Sequence, residues 1–237
     1  MRFSLRAFFC LTIALPALAF AQNSPSNETS SSPAVRFHVS WEAATPQEYD
    51  IQVTSTGSAR YVSRNPTHPP DANGVRDEDY VLEFTMSEAN RRKIFALAEQ
   101  AKFFDGQFDY TKHAIANTGK KTLSYADSGR HFQTTYNWSE NSAIDQLTKL
   151  FGGISSTIEH GRKLKFLRRF DKLGLEAELK GMEMLAESQD LAELQIIVPM
   201  LESIANDSAI LNIARQRARR LLALATQEAA GGIRIVQ

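Results

Sequence analysis

The sequence predicts an α+β protein, an antiparallel sheet with helices packed on one face, followed by an all-helical C-terminal segment. Three observations predict it. Before residue 140 apolar residues alternate with a period of two in several short stretches. Within the same region two stretches switch to a period of three or four. After residue 160 the helical period continues with few breaks.

The first strand is read from Val35, Phe37, Val39 and Trp41, which share one face while Arg36, His38 and Ser40 share the other. Tyr49 to Thr54 repeats the alternation, Ser55-Thr56-Gly57-Ser58 turns the chain, and Ala59 to Ser63 returns as a hairpin partner. A loop rich in proline runs to Asp79, and Tyr80, Leu82 and Phe84 form the next strand face. Thr85-Met86-Ser87-Glu88 has capping spacing, with Ser87 alone able to serve as N-cap. Ile94, Leu97, Ala98 and Ala101 then make one helical stripe, which Phe103-Phe104 closes. Lys121 to Tyr125 and Arg130 to Trp138 read as two strands joined at Asp127-Ser128-Gly129. The polar set His131, Gln133, Thr135 and Asn137 on the last strand implies a sheet with one face open to water. Ser139 is the expected cap of a helix in which Ile144, Leu147, Phe151, Ile154 and Ile158 recur. This sheet domain covers residues 35 to 160.

Residues 161 to 228 read as three helices, and 229 to 237 as a tail. Phe166, Phe170, Leu173 and Ala177 mark the first stripe. Leu191, Leu194, Ile197, Leu201 and Ile204 mark the second, with Pro199 expected inside the helix and bending it. Asn206-Asp207-Ser208 breaks the pattern before Ile210, Ile213, Ala214, Ala218, Leu221 and Leu222. No polar linker separates Ile154 and Ile158 from Leu164, Phe166, Leu167 and Phe170, so the helical segment is expected to dock rather than to float.

The N-terminus predicts export. Arg2 and Arg6 precede an apolar run from Ala7 to Phe20, and Ala19-Phe20-Ala21 is a small-x-small cleavage pattern. The run falls short of the roughly 20 apolar residues a spanning helix needs, so residues 1 to 21 are expected to be removed, leaving no transmembrane anchor. Cys10 leaves with them, and the mature chain then holds its fold without a disulfide. Phe9 before Cys10 does not suit lipid attachment. Residues 22 to 34, rich in serine, asparagine and proline, read as a tether. The destination is the periplasm or the extracellular space.

The chain carries 27 basic and 27 acidic residues, and loss of Arg2 and Arg6 leaves the mature form 2 negative. That balance does not suit a nucleic-acid partner, which calls for a strongly basic domain. Charge is instead segregated along the helical segment. Arg162, Lys163, Lys165, Arg168, Arg169 and Lys172 come first, then Glu176, Glu178, Glu183, Glu187, Asp190 and Glu193, then Arg215, Arg217, Arg219 and Arg220. Two readings stay open: helices that neutralise one another, which the sequence favours, and a basic surface for an anionic lipid, polysaccharide or acidic partner.

No spacing carries chemistry. His38, His68, His113, His131 and His160 are scattered, and no metal site is assigned. Asp71, Asn73, Asp77, Glu78 and Asp79 crowd one loop, but Gly74 comes too early for an EF-hand. Gly152-Gly153-Ile154-Ser155-Ser156 lacks the nucleophile elbow. No catalytic residue and no cofactor is expected. Tyr110, Lys112 and His113 are the candidate binding residues, an acid, a cation and a base in one loop.

Two stretches, Ala116-Asn117-Thr118-Gly119-Lys120-Lys121-Thr122-Leu123 and Glu159-His160-Gly161-Arg162, resemble a group of uncharacterised exported bacterial proteins over most of the mature chain. The resemblance implies no activity and assigns no residue a role. Asn206-Asp207-Ser208-Ala209-Ile210, with Ala214 and Ala218, resembles one HEAT-type helical hairpin; an array would need about three. The reading that follows is a non-catalytic extracytoplasmic interaction or structural protein. Its partner is an unidentified protein or envelope component, and a homo-oligomer through the helical segment is left open. The alternative is a periplasmic hydrolase with its site near the loop from Tyr110 to Asn117.

Overall fold

Alternating apolar residues build six strands: β1 (Ala34–Ser40), β2 (Glu48–Thr54), β3 (Ser58–Arg64), β4 (Tyr80–Thr85), β5 (Lys120–Ala126) and β6 (His131–Tyr136). The computed structural model describes residues 32–67 and 78–229. The expected signal peptide, most of the expected tether, the acidic loop around Asp71, Asn73 and Asp77, His68 and the expected tail beyond 229 lie outside the described residues.

The strands form one antiparallel sheet in the order β4-β3-β2-β1-β5-β6. β1 to β4 follow as an antiparallel meander, and β5 adds on the free side of β1. Register places Phe37 opposite both Ile51 and Leu123, so the large apolar residues line up on one face. Helices α1 (Glu88–Gln100) and α2 (Ser142–Phe170) cover that face. Phe37 of β1 stacks on Phe151 of α2, centroids 5.1 Å apart. The opposite face carries Arg36, Gln52, Arg60, Gln133 and Thr135, all exposed, as a sheet with one wet side requires.

Ser87 caps α1 by accepting from the Asn90 N–H. The cap of α2 lies two residues beyond the expected Ser139. Asn141 accepts from the Ala143 and Ile144 N–H groups, and Ser139 instead accepts from the Asn141 N–H. After α1 the chain does not simply close on Phe103-Phe104. Lys102, Phe103 and Phe104 form a 3-10 turn, all three at positive φ. Left-handed backbone costs about 1–2 kcal/mol per non-glycine residue. Burial of Phe104 offsets that cost, as do the contacts of the Phe103 ring with Tyr125 and the Arg130 guanidinium.

The helical part departs from the expected three stripes. α2 runs unbroken from Ser142 to Phe170, across the boundary read at 160. It is followed by α3 (Gly174–Glu187), a 3-10 turn at Leu194–Ile197, α4 (Val198–Ala205) and α5 (Asn212–Ala229). Pro199 does not kink a long helix, since it sits in the first turn of α4, where its missing N–H has no intrahelical role. The stripe of Phe166, Phe170, Leu173 and Ala177 faces water, as does Ile213, while Leu164, Leu167, Leu175, Leu179 and Met182 are buried. The break at Asp171–Leu173 explains the error. A 3.6-residue period counted across a break loses its phase, and the buried stripe restarts on other residues.

All described residues belong to one compact unit. Its first core lies between the sheet and α1–α2, its second among α3, α4 and α5. α2 serves both, with Ile144 to Ile158 in the first and Leu164 and Leu167 in the second, and Ile196 packs against each. Among the described residues no helix is long and apolar enough to cross a membrane.

Candidate functional site

Tyr110, Lys112 and His113 lie beside one another on the protein surface. The Tyr110 ring meets Trp138 edge-on at 5.0 Å, and the His113 ring stands 6.2 Å from it. Lys112 is tied to the Glu140 carboxylate at 2.7 Å, which raises its pKa. Among the described residues no hydrogen bond joins the phenol, the ammonium and the imidazole. A cavity of about 130 Å³ beside Trp138 is lined by Thr118, Lys121 and Tyr136 among others, and by none of the three.

Lys121 dominates that small cavity. Its ammonium donates to the carbonyls of Thr118, Gly119 and Asn137 and to the Thr118 hydroxyl, at 2.8–3.2 Å. Burial lowers its pKa, and among the described residues no carboxylate is bonded to it. Four acceptors for three protons leave it no donor for a ligand, so it acts as a staple between the loop and β6. Gly119 belongs to the same joint: at φ +89° its Cα passes so near Trp41 that a Cβ would stand 2.6 Å from the Trp41 Cβ.

The larger concavity lies elsewhere, where the sheet domain meets the helical part. It measures about 820 Å³, the size of a small-ligand or peptide cleft. The start of α1, the start of α2, the segment 188–194 and the end of α5 form its walls. One anchor organises it. Glu193, fully buried and itself at φ 60°, sends its carboxylate to the N-terminus of α1. There it accepts from the Ser87 N–H at 3.0 Å, the Ser87 hydroxyl at 2.5 Å and the Asn90 amide at 2.6 Å, with the Gln195 amide as a further donor. A carboxylate at a helix N-terminus satisfies orphan donors and meets the positive end of the dipole. Glu228 of α5 completes the construction by accepting from the Glu193 and Leu194 N–H groups at 2.8 and 2.9 Å. Lys149 on the rim pairs with Asp145. Left facing the opening are carboxamides (Gln146, Gln189 and Gln227), the Lys93 ammonium, and apolar floor from Leu150, Leu191 and Leu224.

A second polar bridge joins sheet and helices. Glu159 of α2 accepts from the Tyr61 hydroxyl at 2.8 Å and the Ser63 hydroxyl at 2.6 Å. Burial, then the nearby Glu159 charge, raises the Tyr61 pKa far above its ordinary value, so the phenol remains a donor. Next to it, His160, and one turn on Lys163, both engage Glu178 of α3, at 2.6 and 2.5 Å. Among the described residues no group of His, Cys, Asp and Glu is placed to hold a metal ion.

The sequence did not single out the cleft. Ser87 was legible as a cap, and the polar break at Ser188-Gln189-Asp190 marks the wall. The pairing of Glu193 with residues about a hundred positions earlier leaves no local signal. No protein-family model matches the chain, and no curated protein matches it.

Proposed function

We propose that this is an extracytoplasmic interaction protein, and that the cleft between α1, α5 and the segment 188–194 takes an extended peptide segment of a partner. One observation carries the reading: the carboxylates around the cleft are engaged in building its own walls. Glu193 and Glu228 are bonded to backbone and side-chain donors, the exposed Asp190 carboxylate accepts from the Ser188 hydroxyl at 2.6 Å, and Asp145, just outside the lining, holds Lys149. What remains is recognition chemistry. Carboxamides each offer a donor and an acceptor, as peptide groups do, and Leu191 and Leu224 supply apolar floor between them. The hydrolase alternative near Tyr110–Asn117 has less support, because Glu140 takes the Lys112 ammonium and the 130 Å³ cavity beside Trp138 has neither Tyr110 nor His113 in its wall.

Panning a random peptide display library against the chain from Gln22 onward tests the reading. Enriched peptides should bind the wild type and lose about tenfold or more against Leu224→Asp, which buries a charge under the ligand. Equal retention by both proteins would move the binding surface elsewhere. In parallel, the same proteins are assayed on ester, peptide, glycoside and phosphate substrates. Turnover that disappears on Lys93→Ala or Gln189→Ala would make the cleft an active site and sink the reading.

A further inference from the structure

The segregated charges of the helical part resolve into pairs, with a remainder. Arg217 engages Glu176 and Glu183, Arg220 engages Glu183, Lys163 engages Glu178, and Arg168 and Lys172 approach Asp207. Lys165 and Arg169 of α2 have no acidic partner among the described residues, and Arg162 reaches Glu159 only at 3.7 Å. Glu159 is itself drawn toward the sheet by the Tyr61 and Ser63 hydroxyls.

Lys165 and Arg169 stand among exposed rings. Phe166 is 58% exposed, Phe170 64% and Leu173, just beyond the helix end, 73%. On a helix, positions 162, 165, 166, 169 and 170 fall within one face. The rings of Phe166 and Phe170 lie 5.0 Å apart, and the Arg169 guanidinium rests 5.0 Å from the Phe170 centroid. The buried side of the same helix is complete, with Leu164 and Leu167 in the core, so this outer face is surplus to the fold.

We infer that the outer face of the last two turns of α2 docks on a bilayer surface of anionic phospholipid. The charge complement selects this occupant. Uncompensated Lys and Arg attract anionic headgroups, and neighbouring Phe and Leu enter the boundary between headgroup and acyl chain. A second copy of the same face would bring Lys165 and Arg169 against their own kind, which like charge disfavours; Arg162, over the Tyr80 ring at 5.0 Å, is turned toward the sheet. The inference does not depend on the cleft, and its failure would leave the peptide reading standing.

Flotation with vesicles tests it, using the chain from Gln22, which keeps every described residue and removes the apolar leader. Binding is expected to vesicles of phosphatidylglycerol in phosphatidylcholine, to weaken as salt rises, and to be absent with phosphatidylcholine alone. Lys165→Gln with Arg169→Gln should weaken it about thirtyfold, the effect of two lost basic contacts. Phe166→Ser with Phe170→Ser should weaken it at unchanged net charge. All four positions are exposed, and an unchanged melting temperature confirms that the variants fold. No binding to the anionic vesicles at low salt overturns the proposal. So does binding that either double variant leaves intact, or a wild-type dimer that Phe166→Ser with Phe170→Ser converts to monomer, which would make the face a contact between copies.

Discussion

Glu193 illustrates how one residue can hold two parts of a chain together. Its side chain is wholly buried, it adopts a left-handed backbone, and its carboxylate takes three donors from Ser87 and Asn90 at the start of α1. Removing it takes the acceptor from three part-buried donors that line the cleft, where water can take over part of the bonding, so each loss is a fraction of the roughly 1–3 kcal/mol that a fully buried group would cost. Glu193→Ala is therefore expected to lower unfolding stability by about 1–3 kcal/mol, measured as a shift of the urea midpoint at unchanged slope. Glu193→Gln keeps one acceptor oxygen and should lose less. If both variants melt with the wild type, the carboxylate is not the anchor that its contacts imply. Lys121 works by the same logic in the small joint near Trp41, where saturation by four acceptors makes it a staple rather than a binding residue.

Two of the three glycines of the long helix α2 have opposite meanings. Gly161 lies so close to the Ile197 side chain that a Cβ would collide with it, whereas Gly152 has open space where its Cβ would be. Gly152→Ala should stabilise by about 0.5–1 kcal/mol, the helix-propensity difference, and Gly161→Ala should destabilise by about 1–3 kcal/mol through overpacking. Thermal melts of the two variants moving in the same direction would remove the argument for close approach at 161. Elements of this kind mark the limit of what the sequence makes legible. The strands and α1–α2 could be read because each buried stripe is local and uninterrupted, as in Ile144, Leu147, Phe151, Ile154 and Ile158. The helical part was misphased because Asp171–Leu173 ends one helix and Gly174 begins another, so Phe166 and Phe170 look like core when counted onward to Ala177. The cleft was illegible for a different reason. Its walls meet through Glu193–Ser87 and Glu228–Leu194, contacts between residues far apart in the chain.

At the scale of the whole molecule the question is whether two cores make one cooperative body. The shared helix α2, Ile196, the pairs of His160 and Lys163 with Glu178 of α3, and the bridge from Glu193 to α1 all cross between them. Acid offers a way to pull on one core and observe the other. Glu183 lies in the helical part between Arg217 and Arg220. Burial alone would raise its pKa, but hydrogen bonds and charge from the two arginines outweigh that and hold it below the ordinary value. The unfolded chain, with a glutamate near about 4.3, therefore takes up the proton first as pH falls. The stabilisation is complete above that value and is lost as pH drops through the lower folded pKa. Glu183→Gln should consequently cost about 1–2 kcal/mol at neutral pH, and its stability should converge with the wild type's in acid. Trp41 and Trp138 report the sheet side by fluorescence, and far-ultraviolet circular dichroism reports chiefly the helices. Cooperative coupling predicts that the variant shifts both neutral-pH urea transitions by the same amount. A helical transition that moves while the tryptophan transition stays in place would instead divide the molecule between its cores, with α2 as a seam rather than a spine.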